Sequence, residues 1–113
     1  MGTSPQEVAV NPVTSKVYVT NNASNNVTVI DGLTPSTLSA GTGPAAVVVN
    51  PVTGRIYVGS QNNISVIDGA VNSTTKVDTG LGTNAVAVNP VTNKIYLVNQ
   101  DSSNVTVIDG ATN

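Results

Sequence analysis

Three copies of one sequence unit follow one another along almost the whole chain. The segment at residues 8–32 returns, with substitutions, at residues 86–110 and, two residues shorter, at residues 47–69. Each copy carries the tetrapeptide Asn-Pro-Val-Thr, which begins at residues 11, 50 and 89, so that successive copies are 39 residues apart. A period of about forty residues made of short strands is typical of β-propeller blades. The repeat therefore predicts the fold, but it leaves the function open. Three blades are too few to close a ring.

The composition indicates strands and turns and excludes several classes of partner. Val and Ile dominate the 39% hydrophobic content, and Ser, Thr and Asn supply most of the polar positions. This composition predicts an all-β fold. Six acidic and four basic residues give a net charge of −2 without charge runs. We therefore expect neither a nucleic-acid partner nor a basic face that binds membranes.

The sequence contains no Cys and no His. These absences remove disulfides, thiolate metal sites, Cys nucleophiles and the commonest general base. We therefore predict that the chain is not an enzyme and holds no metal or cofactor. No apolar stretch of about eighteen residues occurs, so no membrane span is predicted. The first residues lack the charged and apolar regions of a secretion signal.

Each repeat has the pattern of a meander of four antiparallel strands, A to D. In the first copy, strand A covers residues 7–10, strand B residues 16–20 and strand C residues 27–30. The Asn-Pro segment after strand A and the Asp-Gly pair after strand C are turn signals. Strand A of the second copy is apolar on both faces at residues 47–49, whereas residues 75–79 alternate. Strand A is therefore predicted to be the inner strand of a blade and strand D the outer one.

The predicted blades 1, 2 and 3 comprise residues 5–40, 44–79 and 83–113. Blade 3 ends before its strand D, so eleven strands are predicted where three whole blades need twelve. Strand C of blade 3 is then an unpaired edge, with Val105, Val107 and Ile108 as candidate self-association residues. Leaving ~500 Å² of apolar face exposed to water forfeits roughly 12 kcal/mol for each side. Because this is comparable to the stability of a domain, we expect the chain to associate with itself.

The tetrad Tyr-Val-Thr-Asn at residues 18–21, followed by Val-Thr-Val-Ile-Asp-Gly at residues 27–32, resembles the YVTN family of β-propeller repeats. The tetrad is intact once, since residues 57–60 read Tyr-Val-Gly-Ser and residues 96–99 read Tyr-Leu-Val-Asn. The Asn-Pro and Ile-Asp-Gly elements are intact in all three copies. The resemblance implies a propeller of the exported and surface-layer proteins of archaea and bacteria, in which the family is mainly found.

Charged residues and tyrosines recur at fixed repeat positions. The basic set is Lys16, Arg55 and Lys94, the acidic set is Asp31, Asp68 and Asp109, and the tyrosines are Tyr18, Tyr57 and Tyr96. We expect the Asp side chains to bind backbone N–H groups in the C–D turns and the basic residues to cap strand B. Equivalent positions on successive blades diverge too far to share a cation. We expect the tyrosines to fill the space between blades rather than to form a stacking platform for sugars or bases.

Two further features concern the surface. Five Asn-X-Ser/Thr sequons are candidate glycosylation sites, at Asn22, Asn26, Asn63, Asn72 and Asn104, and their use requires export to a glycosylating compartment.

The B–C and D–A connections vary among the copies, whereas the A–B and C–D turns hardly vary. Varied loops on a repeated scaffold are the usual place for recognition.

The sequence therefore supports a non-catalytic extracellular or cell-surface propeller module with a structural or adhesive role. Its expected partner is itself, either as two chains that close a six-bladed ring or as a filament in which each chain lends a strand to the next. One alternative is a lectin-like or protein-binding propeller that recognises a surface glycan or protein through the B–C and D–A loops. The other is an engineered or excised propeller fragment.

Overall fold

The computed structural model describes residues 4–32, 34–61, 63–69, 73–78, 83–99 and 103–110. All regular secondary structure in these ranges is β-strand. The eleven strands are β1 (Pro5–Asn11), β2 (Lys16–Asn21), β3 (Asn26–Asp31), β4 (Thr34–Ser39), β5 (Ala46–Asn50), β6 (Arg55–Gly59), β7 (Asn63–Asp68), β8 (Ser73–Asp78), β9 (Thr83–Asn89), β10 (Lys94–Asn99) and β11 (Asn104–Asp109).

The strands form three antiparallel sheets, one for each sequence copy. Strands β1 to β4 and β5 to β8 each make a four-stranded meander, and β9 to β11 make a three-stranded one. The register repeats as well, because Tyr18 pairs with Val29 in blade 1 as Tyr57 pairs with Val66 in blade 2. For the described residues, the structure confirms the predicted all-β fold of four-stranded meanders with one strand fewer in the third.

The Asn-Pro-Val-Thr segment builds the A–B turn of each blade. Its Asn side-chain oxygen accepts a hydrogen bond from the backbone N–H two residues later, and the turn ends on a residue with positive φ. The three Asn–N–H pairs are Asn11 with Val13 at 3.0 Å, Asn50 with Val52 at 3.0 Å and Asn89 with Val91 at 3.1 Å. The positive φ values are 63° at Ser15, 74° at Gly54 and 57° at Asn93. The Asn side chain thus stabilises a turn in which Pro has no N–H to donate.

The hydrophobic core lies in two layers between the sheets. The layer between blades 1 and 2 includes Tyr18, Val27, Val29, Val47, Val49, Ile56, Val58 and Ile67. The layer between blades 2 and 3 consists of Tyr57, Ile64, Val66, Ile95, Leu97 and Ile108, with Val48, Val86 and Val88 packed against it. Blade 2 is therefore covered on both faces, as a blade inside a propeller is.

Burial along the strands matches the predicted order from inner to outer. Four of the five residues of β5, an A strand, are buried, whereas β4, a D strand, exposes Pro35, Ser36 and Thr37. Strand β1 differs from β5 although both are A strands, because Val8 and Val10 are exposed where Val47 and Val49 are buried between two blades. No helix within the described ranges is long and apolar enough to cross a membrane.

Candidate functional site

The two interfaces between blades use the same repeat positions. Blade 1 contributes Tyr18, Val27 and Val29 to the first interface, and blade 2 contributes their equivalents Tyr57, Ile64 and Val66 to the second. Opposite them stand Val47 and Val49 of blade 2 in the first interface and Val86 and Val88 of blade 3 in the second. Each blade therefore has one face that receives the next blade and one that packs on the blade before it.

The face of blade 3 that corresponds to the receiving faces of blades 1 and 2 is uncovered. We call it the trailing face and define it by Tyr96, Val98, Val105 and Val107. Their exposed fractions are 40%, 47%, 60% and 55%. The equivalents of Tyr96, Val105 and Val107 in the other blades are all 5% exposed or less. The exposure therefore reflects the missing neighbour and not a change in residue type.

Blade 1 presents the opposite kind of uncovered face. We call it the leading face and define it by Val8, Val10, Val17 and Ile30. Val8 is 60% and Val10 53% exposed, while Val17 and Ile30 are half-buried. An open groove lined by Pro5, Gln6, Glu7, Val8 and Val19 borders this face. The two ends of the stack thus carry apolar surfaces of complementary repeat positions.

The predicted role of the tyrosines between blades is confirmed for Tyr18 and Tyr57, which are both fully buried, and is wrong within this structure for Tyr96, which is 40% exposed because no blade covers its face. Burial raises the pKa of the Tyr18 phenol, and the negative charge of Asp31 raises it further. Burial also raises the pKa of Tyr57, and the positive charge of Arg55 opposes this shift. The Tyr18 hydroxyl has no hydrogen-bond partner among the described residues. Both phenols are therefore held in the neutral form in the core.

The basic residue at the start of strand B connects one blade to the next. The Lys16 Nζ atom donates to the carbonyl oxygen of Gly69 at 2.8 Å, and an Arg55 guanidinium nitrogen donates to that of Gly110 at 3.0 Å. Gly69 and Gly110 occupy equivalent positions after strand C. The predicted cap at the start of strand B did not include this contact with the next blade, because the sequence of one repeat does not show which groups face its neighbour. Lys16 also lies 4.0 Å from Asp31.

Two more polar contacts cross the interfaces. A carboxylate oxygen of Glu7 in blade 1 accepts a hydrogen bond from the backbone N–H of Val47 in blade 2 at 2.9 Å. The Asn50 side chain in blade 2 donates to the Asn93 side chain in blade 3 at 3.0 Å. The first contact is special to one interface, because Ala46 and Ala85 replace Glu7 in the other copies.

The Asn that ends the Tyr-Val-Thr-Asn tetrad ties strand B to strand C. The side-chain nitrogen of Asn21 donates to the Thr28 hydroxyl at 2.9 Å, and that of Asn99 donates to the Thr106 hydroxyl at 2.6 Å. In blade 2 both positions are Ser, and the buried hydroxyls of Ser60 and Ser65 have no partner among the described residues. The departure of the second copy from the tetrad therefore coincides with the loss of this bond.

The B–C loops of blades 1 and 2 meet the D–A connection that joins these two blades. The Asn25 side chain accepts from the Gly43 N–H at 2.9 Å, and the Asn22 side chain donates to the Pro44 carbonyl at 3.3 Å. The Gln61 N–H donates to the Thr42 carbonyl at 2.9 Å. Loops from blades 1 and 2 are thereby held together in a polar surface.

The predicted glycosylation sites lie in different surroundings. Asn22, Asn26 and Asn63 are half-buried, and the side chain of Asn26 accepts a hydrogen bond from Asn21. Asn72 lies outside the described residues, and the side chain of Asn104 is not among those described, although its backbone begins β11. Glycosylation stays a prediction for all five.

The predicted self-association residues of strand C separate into two groups. Val105 and Val107 belong to the exposed trailing face, but the Ile108 side chain is only 6% exposed and packs towards blade 2. The backbone of β11 pairs with β10 and with no second strand in the described residues. Sequence alternation could have separated Ile108 from the two valines, because neighbouring residues of a strand face opposite sides.

The acidic side chains that the structure describes do not gather into a metal site. Within the described ranges, no group of three or more Asp, Glu, His or Cys residues could hold a metal ion. The structure therefore offers two apolar blade faces and one polar loop surface as candidate sites of interaction.

Comparison with known proteins identifies the fold. No family model matches the sequence, and no curated protein matches it. Among solved structures, hydrazine synthase from Kuenenia stuttgartiensis superposes with a TM-score of 0.86 at 19% identity, over 96% of this chain and 33% of that one. A candidate 6-phosphogluconolactonase from Bacteroides fragilis superposes with a TM-score of 0.79 at 16% identity, over 96% and 35% of the two chains.

A third similar structure is a nidogen/laminin complex, with a TM-score of 0.70 at 16% identity over 88% of this chain and 46% of that one. This chain thus spans less than half the length of each of these three proteins. The structural neighbours are β-propeller proteins, and at such low identity the likeness concerns the fold alone. The chain is an all-β protein built of β-propeller blades.

Proposed function

We propose that this chain is a non-catalytic structural or adhesive module of the YVTN type, which works outside the cell and assembles with copies of itself through its blade faces. One observation carries the proposal. The trailing face exposes Tyr96, Val105 and Val107 at positions that are buried in both other blades. An exposed apolar patch of this kind marks an interaction site.

The charges of the chain support a structural role. Lys16 and Arg55 are engaged in bonds between blades, and the sequence has neither His nor Cys for the commonest acid–base or nucleophilic chemistry. The extracellular location rests on the composition, which is rich in Ser, Thr and Asn and only 9% charged, and on the resemblance to surface-layer repeats.

A pair of substitutions tests the proposal. Val107→Lys places a charge on the trailing face, whereas Val91→Lys places the same charge on the A–B turn of the same blade, where Val91 is 92% exposed. Burial of an unpaired charge costs several kcal/mol, so Val107→Lys should weaken self-association at least about tenfold. Val91→Lys should assemble like the wild type. Sedimentation and negative-stain microscopy measure the assembly, and equal behaviour of the two variants counts against the blade faces.

The polar loop surface favours a second function, the recognition of a surface glycan or protein. Asn22, Asn25 and Gln61 come from two blades and are held by hydrogen bonds to the D–A connection. Gln61→Ala should then abolish retention on a glycan array or protein partner while leaving assembly unchanged. Loss of assembly in this variant would count against an independent loop site.

A further inference from the structure

The two internal interfaces have a fixed polarity. In both, the basic residue lies on the earlier blade and the Gly carbonyl on the later one, as Lys16 with Gly69 and Arg55 with Gly110 show. The Tyr side likewise belongs to the earlier blade and the Val side of strand A to the later one. A blade therefore presents different groups to its two neighbours.

The free ends of the stack carry the unpaired halves of the same arrangement. On blade 3, Lys94 is exposed, and it shares a face of β10 with Tyr96 and Val98 because these residues alternate along the strand. On blade 1, Gly32 is exposed, whereas its equivalents Gly69 and Gly110 are buried. Gly32 follows strand C with a φ of 62°, a positive value that Gly69 and Gly110 do not share, so its backbone has to turn for its carbonyl oxygen to take the same position. Donor and acceptor are thus available at opposite ends of one chain.

We propose that a second copy of this chain docks head to tail, with its leading face on the trailing face of the first and with Lys94 donating to the carbonyl oxygen of Gly32. This inference rests on the proposed self-assembly and adds its polarity. Val8 and Val10 of the second copy then cover Tyr96 as Val47 and Val49 cover Tyr18 within one chain. Such a heterologous contact continues the blade stack and is not limited to two chains.

The residues argue against a symmetric contact between identical faces. Two trailing faces bring together two Lys94 ammonium groups and no Gly32 carbonyl, and two leading faces bring together two carbonyls and no ammonium group. Asp109 lies opposite Lys94 in the register of β10 and β11, but burial of two like charges together without the carbonyl acceptor is costly. The second copy is therefore the occupant whose leading face supplies both the apolar side chains and the acceptor that the trailing face lacks.

Cross-linking tests the polarity directly, because the chain has no natural Cys. Val10→Cys labels the leading face and Val107→Cys the trailing face, and their counterparts Val49 and Val29 lie in one buried cluster. A short bismaleimide should join the two variants when they are mixed, and should join neither variant to itself. Val91→Cys, which is exposed outside both faces, should cross-link with neither.

Substitution of Lys94 tests the predicted bond. Lys94→Met removes the donor and should weaken association about tenfold or more. Lys94→Arg should retain it, because Arg55 serves the equivalent position in blade 2. Cross-links within a single Cys variant, or equal affinity of Lys94→Met and the wild type, would overturn the head-to-tail contact and leave self-assembly standing. A folded particle of one copy would overturn both.

Discussion

The ammonium group of Lys16 donates a hydrogen bond to the carbonyl oxygen of Gly69, 53 residues further along the chain and in the next blade, at 2.8 Å. The side chain of Lys16 is only 16% exposed. Arg55 repeats the contact one blade later. A basic side chain at the start of strand B thus links blade 1 to blade 2 and blade 2 to blade 3, in addition to the apolar layers between the sheets.

Replacement of Lys16 by Met should destabilise the chain by about 1–3 kcal/mol, because a hydrogen bond from a charged, largely buried donor is lost. Lys16→Arg should remain within about 0.5 kcal/mol of the wild type. Asp31→Asn is the matched control, because it removes the ion pair between Lys16 and Asp31 and leaves the hydrogen bond to Gly69. Its effect on stability should be small, since Asp31 is 66% exposed and lies 4.0 Å from Lys16, and exposed ion pairs contribute little. Urea denaturation measures all three. A larger loss for Asp31→Asn than for Lys16→Met would contradict the assignment.

Gly69→Ala should destabilise the chain by about 1–3 kcal/mol through crowding at the first interface. A Cβ atom there would lie 2.6 Å from the Gly54 carbonyl oxygen and 3.1 Å from both the Tyr18 hydroxyl and the Ile56 side chain. The backbone oxygen cannot move aside as a flexible side chain would. Thermal unfolding followed by circular dichroism gives the cost, and an unchanged midpoint would show that the interface is looser than described.

Gly54→Asn should stabilise the chain by up to about 1 kcal/mol, because it restricts the unfolded chain and adds a hydrogen bond. Gly54 has a φ of 74°, and a Cβ atom added there would meet nothing within 4 Å. The equivalent residue in blade 3 is already Asn, because Asn93 occupies this position with a φ of 57°. Asn93 accepts a hydrogen bond from Asn50, and the new side chain could accept one from Asn11 in the same way. Gly54→Ala is the control, since Ala tolerates positive φ poorly and makes no such bond. Equal denaturation midpoints for the two variants would contradict this prediction.

Stability should fall at alkaline pH through the buried phenols. Because the folded pKa values of Tyr18 and Tyr57 are raised, their contribution is complete below the unfolded phenol pKa of about 10 and is lost as the pH rises above it. Tyr18→Phe removes one such group and should decline less steeply than the wild type above pH ~10. Denaturant titrations between neutral and alkaline pH compare the two proteins.

The sequence allowed prediction of the repeat, the strands and their order, because each depends on local alternation and turn chemistry. Strand A of blade 2 is buried and strand D of blade 1 exposed, as the apolar run at residues 47–49 and the polar outer strand suggest. The burial of Tyr18 and Tyr57 also agrees with their position between apolar neighbours, but Tyr96 has the same kind of neighbours and is 40% exposed because no blade covers it.

The contacts between blades could not be predicted in the same way. The partner of Lys16 is a backbone carbonyl, which every residue possesses and which no side-chain pattern reveals. The sorting of Val107 to the free face and Ile108 to the interface required knowledge of which side of the sheet meets the neighbour. Relations between repeats depend on stacking geometry, whereas relations within one repeat are set by neighbouring residues.

Sedimentation equilibrium of the wild-type chain over micromolar concentrations tests the central claim most directly, with circular dichroism to show that it is folded. The uncovered faces predict a mass above that of one 11.4 kDa chain, increasing with concentration. A folded particle whose mass stays at 11.4 kDa throughout that range would contradict the account.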